Sequence, residues 1–345
     1  MRKYRKREHI ENYLRSSFTG NPLFDDVMLM HNSLPECDFY EVDTSTMFLN
    51  KKINFPLMIN AMTGGSDFTE DINKDLSKIA KEFNLPMAVG SQTVAIEDKD
   101  AIRSFKIVRD NMKDGIVLGN LSGRATLDEA KFAVEMIGAD GLQIHLNPAQ
   151  ELAMEEGDRT FRGILTNIEK IVSSLDVPVI VKEVGFGMSK DVVKKLYDIG
   201  VRIVDVSGYG GTNFMEVENL RNPENDLSEL YSWGIPTAMS VIGAKSLGLD
   251  DLQIISSGGV KNSLDIVKSI VIGADMVAIS GEILSYLIHG GYEYTMQYLA
   301  GLIYKTKIVM TLTGAKNIEE LKDSKYLITG RLQDLLCGCK SKYSK

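Results

Sequence analysis

The sequence predicts an α/β protein built as a (β/α)8 TIM barrel with an N-terminal helical extension and C-terminal helices. Three observations predict it. Eight short apolar runs alternate with charged stretches of helical periodicity, the pattern of parallel strands joined by crossover helices. Nearly every run ends abruptly in small or polar residues, as barrel strands do where their C-terminal ends meet the active-site loops. No Gly-x-Gly-x-x-Gly follows the first run, which counts against an open doubly wound sheet.

The elements follow in order. Residues 1–55 precede the first barrel strand and are expected to form an extension that opens with a basic helix running from Arg5 to Arg15. The strands are expected at P-L-M-I-N (56–60), P-M-A-V-G (86–90), G-I-V-L-G-N (115–120) and G-L-Q-I-H-L-N (141–147). They continue at V-P-V-I-V-K-E (177–183), V-R-I-V-D-V-S (201–207), L-Q-I-I-S-S-G-G (252–259) and D-M-V-A-I-S-G (275–281). Between them, 68–83, 126–137, 163–174, 189–199 and 262–271 place apolar residues at helix spacing beside Lys, Asp and Glu. The longest interval, 208–251, is rich in Asn, Glu and Gly around Trp233 and is expected to contain a mobile lid. The 64 residues after Gly281 are expected to hold the eighth helix and one or two closing helices. No second core or low-complexity linker is visible, so 56–345 reads as one barrel domain with its closing helices.

Composition agrees. The 345 residues are 44% hydrophobic and 25% charged, an ordinary globular balance. A net charge of −8 argues against a field that gathers nucleic acid or anionic lipid, so neither nucleic acid nor membrane is an expected partner. The absence of an 18-residue apolar run and of a signal-peptide core leads to the expectation of a cytoplasmic protein. Three cysteines are too few and too uneven for a disulfide framework or a zinc site. Against this background, residues 1–15 carry six basic side chains and two acidic ones, a local +4 on a chain whose remainder is −12. Such an arm is either a solvated face or a clamp for a small polyanion.

The strand ends suggest a ligand. Ser257-Gly258-Gly259 ends the seventh run and Ser280-Gly281-Glu282 the eighth, where glycines let backbone N–H groups and a helix N-terminus approach an anion. The loops after strands 7 and 8 are the recurrent barrel phosphate site. Lys182, at the end of the fifth run, puts an ammonium at the barrel mouth, able to stabilise a developing anion. Ala61-Met62-Thr63, Ser91-Gln92 and Asn120 add neutral hydrogen-bonding groups suited to a flat heteroaromatic ring. Together they look like a flavin mononucleotide (FMN) cradle. Just beyond the fourth run, His145, Asn147, Gln150 and Glu151 form H-x-N-x-x-Q-E. Glu151 there either holds a divalent metal shared with substrate phosphate or stabilises a helix terminus, and His145 is either a site residue or a satisfied structural one.

Seven motifs in order resemble type 2 isopentenyl-diphosphate delta-isomerases. They are R-K-R-E-H-I (5–10), N-A-M-T-G-G (60–65), V-G-S-Q (89–92), Q-I-H-L-N-x-x-Q-E (143–151), V-K-E-V-G-F-G-M-S-K (181–190), G-Y-G-G-T-N-F (208–214) and S-G-G (257–259). The resemblance runs from Arg5 through the eighth strand and on into T-L-T-G-A (311–315). It implies a flavin-dependent, redox-neutral enzyme of isoprenoid biosynthesis that interconverts isopentenyl and dimethylallyl diphosphate. NADPH would serve only to reduce the flavin, and the assembly would be a homotetramer or homo-octamer. Carried over by motif, Arg5, Lys6, His9, Ser91, Gln92, His145, Asn147 and Gln150 would bind substrate, and Glu151 would hold Mg2+. Ala61, Met62, Thr63, Ser91, Asn120, Lys182, Ser207, Thr212, Gly258, Gly259, Ser280 and Gly281 would bind FMN. The catalytic set would be Gln150, Lys182 and His145, with Gln150 either orienting the alkene or relaying a proton. Gly119-Asn120-Leu121-Ser122 stands where the family often has Ala-Asn-Leu-Gly, and Ser280-Gly281 where it often has Ala-Gly. Both swaps keep the residues small.

Two rival functions share parts of this pattern. An FMN-dependent oxidoreductase of the 2-hydroxy-acid oxidase type would need a His and an Arg just after the seventh strand, where this chain reads S-S-G-G-V-K-N. A non-catalytic flavin or phosphate binder would have no use for the basic arm and Glu151 together.

Overall fold

The computed structural model describes residues 2–342, with side chains from Arg7 to Gly338. The eight expected strands are present: β1 (Leu57–Ile59), β2 (Met87–Ala88), β3 (Val117–Ser122), β4 (Gly141–His145), β5 (Val179–Lys182), β6 (Ile203–Asp205), β7 (Gln253–Ser256) and β8 (Met276–Ile279). They form one closed barrel with every neighbouring pair parallel. The ring closes where Val277 of β8 pairs with Leu57 of β1. The (β/α)8 expectation therefore holds.

Side-chain caps start several of the expected helices. Thr126, Ser189 and Asn262 are N-cap residues whose side chains accept the backbone N–H of Glu129, Val192 and Asp265. Ser66 and Thr69 form a capping box at the start of the helix Asp67–Phe83. These helices pack apolar faces on the barrel's outer surface, and side chains such as Leu76, Val193 and Ile266 are buried there.

A second, smaller core fills the bottom of the barrel and was not expected. The hairpin Thr46–Phe48/Lys51–Ile53 inserts Phe48 and Ile53 among Met58, Ala88, Leu118, Ile180, Ile255 and Met276. Complete burial of Phe48 is worth roughly 1.5–3 kcal/mol. Its two-residue turn holds Leu49 at φ 45° and Asn50 at φ 61°, the twist that matches flanking antiparallel strands. A further strand pair, Val27–Leu29 with Tyr326–Ile328, ties the N-terminal extension to the C-terminal region. These short segments lack the alternation over four or more residues that marks a strand in sequence.

Four helices shape the mouth: α1 (Arg2–Arg15), α2 (Pro148–Ala153), α3 (Phe214–Arg221) and α4 (Gly281–Thr313). Gly291, at φ 77°, interrupts α4, and the chain closes with the helices Ile318–Lys322 and Gly330–Lys342. The 208–251 interval, expected to contain a lid, folds as α3 and the helix Thr237–Lys245, with α3 set against α1 and α2 over the mouth. Among the described residues no helix is long and apolar enough to cross a membrane.

Candidate active site

A cavity of about 590 Å³ opens at the C-terminal ends of the strands. Its wall includes most of the residues singled out from the sequence: Ala61, Met62, Ser91 and Asn120; Lys182, Ser207 and Thr212; Gly258, Gly259, Ser280 and Gly281; and His9, His145, Asn147, Gln150 and Glu151. Two expected residues stand elsewhere. Gln92 is fully buried outside the cavity, with Oε1 accepting the Asn120 N–H at 2.8 Å and Nε2 donating to the Ala133 carbonyl at 2.9 Å. Its amide is therefore spent on holding β3, which corrects its reading as a substrate ligand. Thr63 is buried behind the wall, and its Oγ1 has no hydrogen-bond partner among the described residues. The side chains of Arg5 and Lys6 lie outside the described residues.

One end of the cavity is made of backbone. Gly258 and Gly259 have φ of 99° and 79°, and a Cβ on them would fall 2.1 Å from the Gly208 carbonyl oxygen and 2.3 Å from that of Gly210. Only glycine admits that approach of the two loops. Gly281 opens α4, so the unpaired N–H groups of a helix start face the same space. Ser207, at φ 34°, is a strained non-glycine on the cavity wall, and its carbonyl accepts the Gly187 N–H.

Lys182 rises from the floor. It is buried, and Nζ donates to the Glu183 carbonyl at 2.7 Å. Burial lowers its pKa from the ordinary lysine value, while the negative charges of Asp205 and Glu183 act the other way. Glu183, which sequence reading passed over, turns its carboxylate back on the loop that follows. Oε2 accepts the N–H groups of Val184, Gly185, Phe186 and Gly187. Burial nonetheless pushes this carboxyl up to about 7, against the pull of the Phe186, Gly185 and Val184 amides and of Lys182.

Beneath the cavity runs a chain of buried polar side chains. Asn60 Nδ2 donates to Asp205 Oδ2 at 2.7 Å, Gln143 Nε2 to Asn60 Oδ1 at 2.9 Å, and Asn120 Nδ2 to Gln143 Oε1 at 3.0 Å. Asn120 Oδ1 then lies 2.9 Å from His145 Nδ1. Asp205 also accepts from Ser257 Oγ and from the Ser207 N–H. Gln143 had a readable signal, since it stands two residues from His145 on one strand and so shares its face. Asn60 and Asp205 gave none, because their partners come from other strands.

The opposite end of the cavity is made of side chains. Glu216 and Glu218 on α3 are buried carboxylates that the sequence reading did not select. Glu216 accepts the N–H groups of Ser17 and Phe18, just past α1, and Asn12 Nδ2 donates to the Val217 carbonyl. Glu218 accepts from Gln150 Nε2 at 2.9 Å and from Arg221 Nη1 at 3.0 Å, and His9 Nε2 stands 2.9 Å from its Oε1. Burial raises the Glu218 carboxyl, but His9, Gln150 and Arg221 outweigh it and leave its pKa below the ordinary value. Arg221 reaches on to Glu8 and Glu156 and so ties α1, α3 and the loop after α2 together.

Glu151 sits at the rim with both oxygens oriented, Oε1 by Asn147 Nδ2 at 2.9 Å and Oε2 by the Asp158 N–H at 2.9 Å. Among the described residues no three His, Cys, Asp or Glu side chains group closely enough to hold a metal ion. A cation at Glu151 would therefore depend on oxygens from a ligand.

Comparison with known proteins gives this geometry a family. Residues 147–328, more than half of the chain, match the family model described as FMN-dependent dehydrogenase. The isopentenyl-diphosphate delta-isomerase of Bacillus pumilus is 44% identical over 327 residues, covering 94% of this chain and 92% of the relative. The chain belongs to the isopentenyl-diphosphate delta-isomerase family. The same isomerase name is carried by a Staphylococcus haemolyticus protein, 42% identical with 96% of this chain and 95% of that one covered. Among solved structures, mandelate oxidase with (S)-mandelic acid superposes with a TM-score of 0.69 at 13% identity, over 93% of this chain and 94% of that one. Lactate oxidase from Pediococcus acidilactici gives 0.66 at 16% identity, over 94% and 87%. At such identity the oxidases share the fold alone. For an isomerase-family chain the FMN named by the family model fits this cavity. Gly258 and Gly259, on the cavity wall, let their loop pack against Gly208 and Gly210 with its backbone beside the cavity, Lys182 is a buried lysine on the same wall, and Ser91 and Asn120 add neutral donors and acceptors.

Proposed function

We propose that this protein interconverts isopentenyl and dimethylallyl diphosphate in isoprenoid biosynthesis, by a redox-neutral 1,3-proton shift with reduced FMN and Mg2+. One observation carries the reading: a glycine-built anion cradle and a buried lysine share a cavity with His9, His145 and Gln150. The stretch after β7, Gly258-Gly259-Val260-Lys261-Asn262, lacks the His and Arg an oxidase would use.

In this reading the backbone of Gly258, Gly259 and Gly281 holds the cofactor phosphate, and Ala61, Met62, Ser91 and Asn120 border its ring. Bound in its reduced form, FMN supplies the group that gives and takes the protons. Lys182 holds positive charge beside the ring, where negative charge must be stabilised in a site shielded from water. His9, His145 and Asn147 bind the diphosphate with Arg5 and Lys6, and Glu151 shares Mg2+ with its oxygens. Gln150, whose Nε2 is committed to Glu218 and whose Oε1 accepts from Asn147 Nδ2 at 3.2 Å, is held for orienting the alkene. α1 and α3 cover the mouth, and exclusion of water protects both the allylic product and the cation-like transition state. NADPH serves as the reductant of the flavin. The same reading carries a cytoplasmic homotetramer or homo-octamer.

Anaerobic assay of isopentenyl diphosphate tests the proposal. The purified protein should be yellow, bleach with NADPH or dithionite, and then isomerise substrate when Mg2+ is present. Equal activity of the oxidised, reductant-free enzyme, or turnover of lactate in its place, would overturn it. Glu151→Ala should raise the Mg2+ concentration needed for half-maximal rate by roughly 10-fold. An unchanged Mg2+ titration would remove Glu151 as the ligand.

A further inference from the structure

We propose that the barrel floor carries a one-way hydrogen-bond chain, anchored at Asp205, that holds His145 as its Nδ1–H tautomer. Gln143 is the positioning residue in its middle. The direction follows from what each group can do. A carboxylate only accepts, so Asn60 must turn its NH2 to Asp205, 2.7 Å away. The backbone N–H of Ala61, which only donates, lies 2.9 Å from Asn60 Oδ1 and fixes the same orientation independently. With Oδ1 facing inward, Asn60 can receive only a donor from Gln143, whose NH2 is 2.9 Å away. Gln143 then presents Oε1 to the Asn120 NH2 at 3.0 Å, which leaves Asn120 Oδ1 as the atom 2.9 Å from His145 Nδ1. An oxygen there requires a proton on Nδ1.

The four linking groups come from four strands or strand ends, and Asn60, Asn120, Gln143 and Asp205 are all buried. No member can flip alone without leaving donor against donor or acceptor against acceptor in a site closed to water, a mismatch the fold resists. A neutral His145 consequently carries its lone pair on Nε2. That nitrogen is then a base, and it becomes a donor to a phosphate oxygen only after taking up a proton. The chemistry of the substrate side is thus set from the far wall of the barrel. The role of His145 toward diphosphate rests on the proposed function, whereas the tautomer does not.

Nitrogen-15 NMR of the FMN-loaded, histidine-labelled protein separates the two, with the His145 signal assigned by substitution. At a pH where the ring is neutral, the wild type should show the Nδ1-protonated pattern. Gln143→Leu breaks the chain next to Asn120 and should turn the signal into a mixture of tautomers, with kcat/KM falling roughly 10-fold. Gln143→Glu, whose buried carboxyl in its protonated form donates to Asn60 Oδ1 and still accepts from the Asn120 NH2, should restore both the pattern and most of the rate. A wild-type His145 protonated on Nε2 would overturn the proposal without any variant. So would an unaltered Gln143→Leu spectrum, or a mixture of tautomers in Gln143→Glu. Correct tautomers in a protein that leaves isopentenyl diphosphate unchanged would instead sink the isomerase reading and spare the chain.

Discussion

The two ends of the cavity are built from different materials. At the β7–β8 end the groups that face a ligand are backbone N–H groups, exposed by glycines whose loops touch so closely that a methyl group would collide. At the α1–α3 end they are side chains backed by buried carboxylates, with Glu216 gripping the chain after α1 and Glu218 gripping Gln150 and Arg221. The first kind of site exists as soon as the barrel closes. The second is complete only when α1 lies on α3, and each of its contacts can be removed by one substitution. A resident cofactor suits the first end, and a substrate that enters and leaves suits the second.

Gly258→Ala should break that contrast most severely. The new methyl group meets the Gly208 carbonyl at 2.1 Å, and the backbone at φ 99° adds strain on the order of 1–3 kcal/mol. Loss of bound FMN, read from the absorbance of the purified protein, is the expected result, and full flavin content would refute the cradle. Arg221→Ala should act at the other end alone. It unties Glu8, Glu156 and Glu218, and we expect KM for isopentenyl diphosphate to rise by roughly 10-fold, the loss of about 1.5 kcal/mol of charged contact, with flavin content unchanged. A variant that lost flavin and kept KM would invert the assignment of the two ends.

A smaller effect is expected at the boundary between them, in the loop that Glu183 holds behind Lys182. Its folded pKa of about 7 lies above the ordinary 4.5, so between those values the native state keeps a proton that the unfolded chain has lost. Stability therefore falls as pH rises from 4.5 to about 7, and the loss is complete above the folded value. Glu183→Gln removes this contribution. Urea midpoints of the variant minus those of the wild type should climb across that interval, and a flat difference would show that the carboxyl titrates as it does in the unfolded chain.

How much of this was legible beforehand depends on the kind of contact. The barrel was readable because its strands and helices are local patterns: apolar runs such as 177–183, and helix-spaced apolar residues such as those of 189–199 and 262–271. The hairpin at 46–53 was not, because three-residue strands carry no period and Phe48 finds its partners only inside the closed barrel. At the site, glycines and Lys182 at strand ends announced themselves by position. Glu216, Glu218 and Asp205 did not, since an acidic residue in a helix or strand looks like any solvated one until its neighbours are known. Gln92 misled for the converse reason. It adjoins a cavity residue in sequence, yet its side chain leaves toward Ala133.

The sequence by itself determined the fold, the glycine-lined strand ends and the family, because each rests on residues whose meaning is set by their place along a strand or in a motif. Only the tertiary structure decided how those residues are aimed. The tautomer of His145, the commitment of Gln150 to Glu218, and the seating of α1 on α3 all depend on pairs far apart in the chain, from Asn60 with Asp205 to Ser17 with Glu216. Hydrogen bonds have direction and burial makes their mismatch costly, and both conditions arise only when the barrel brings the partners together.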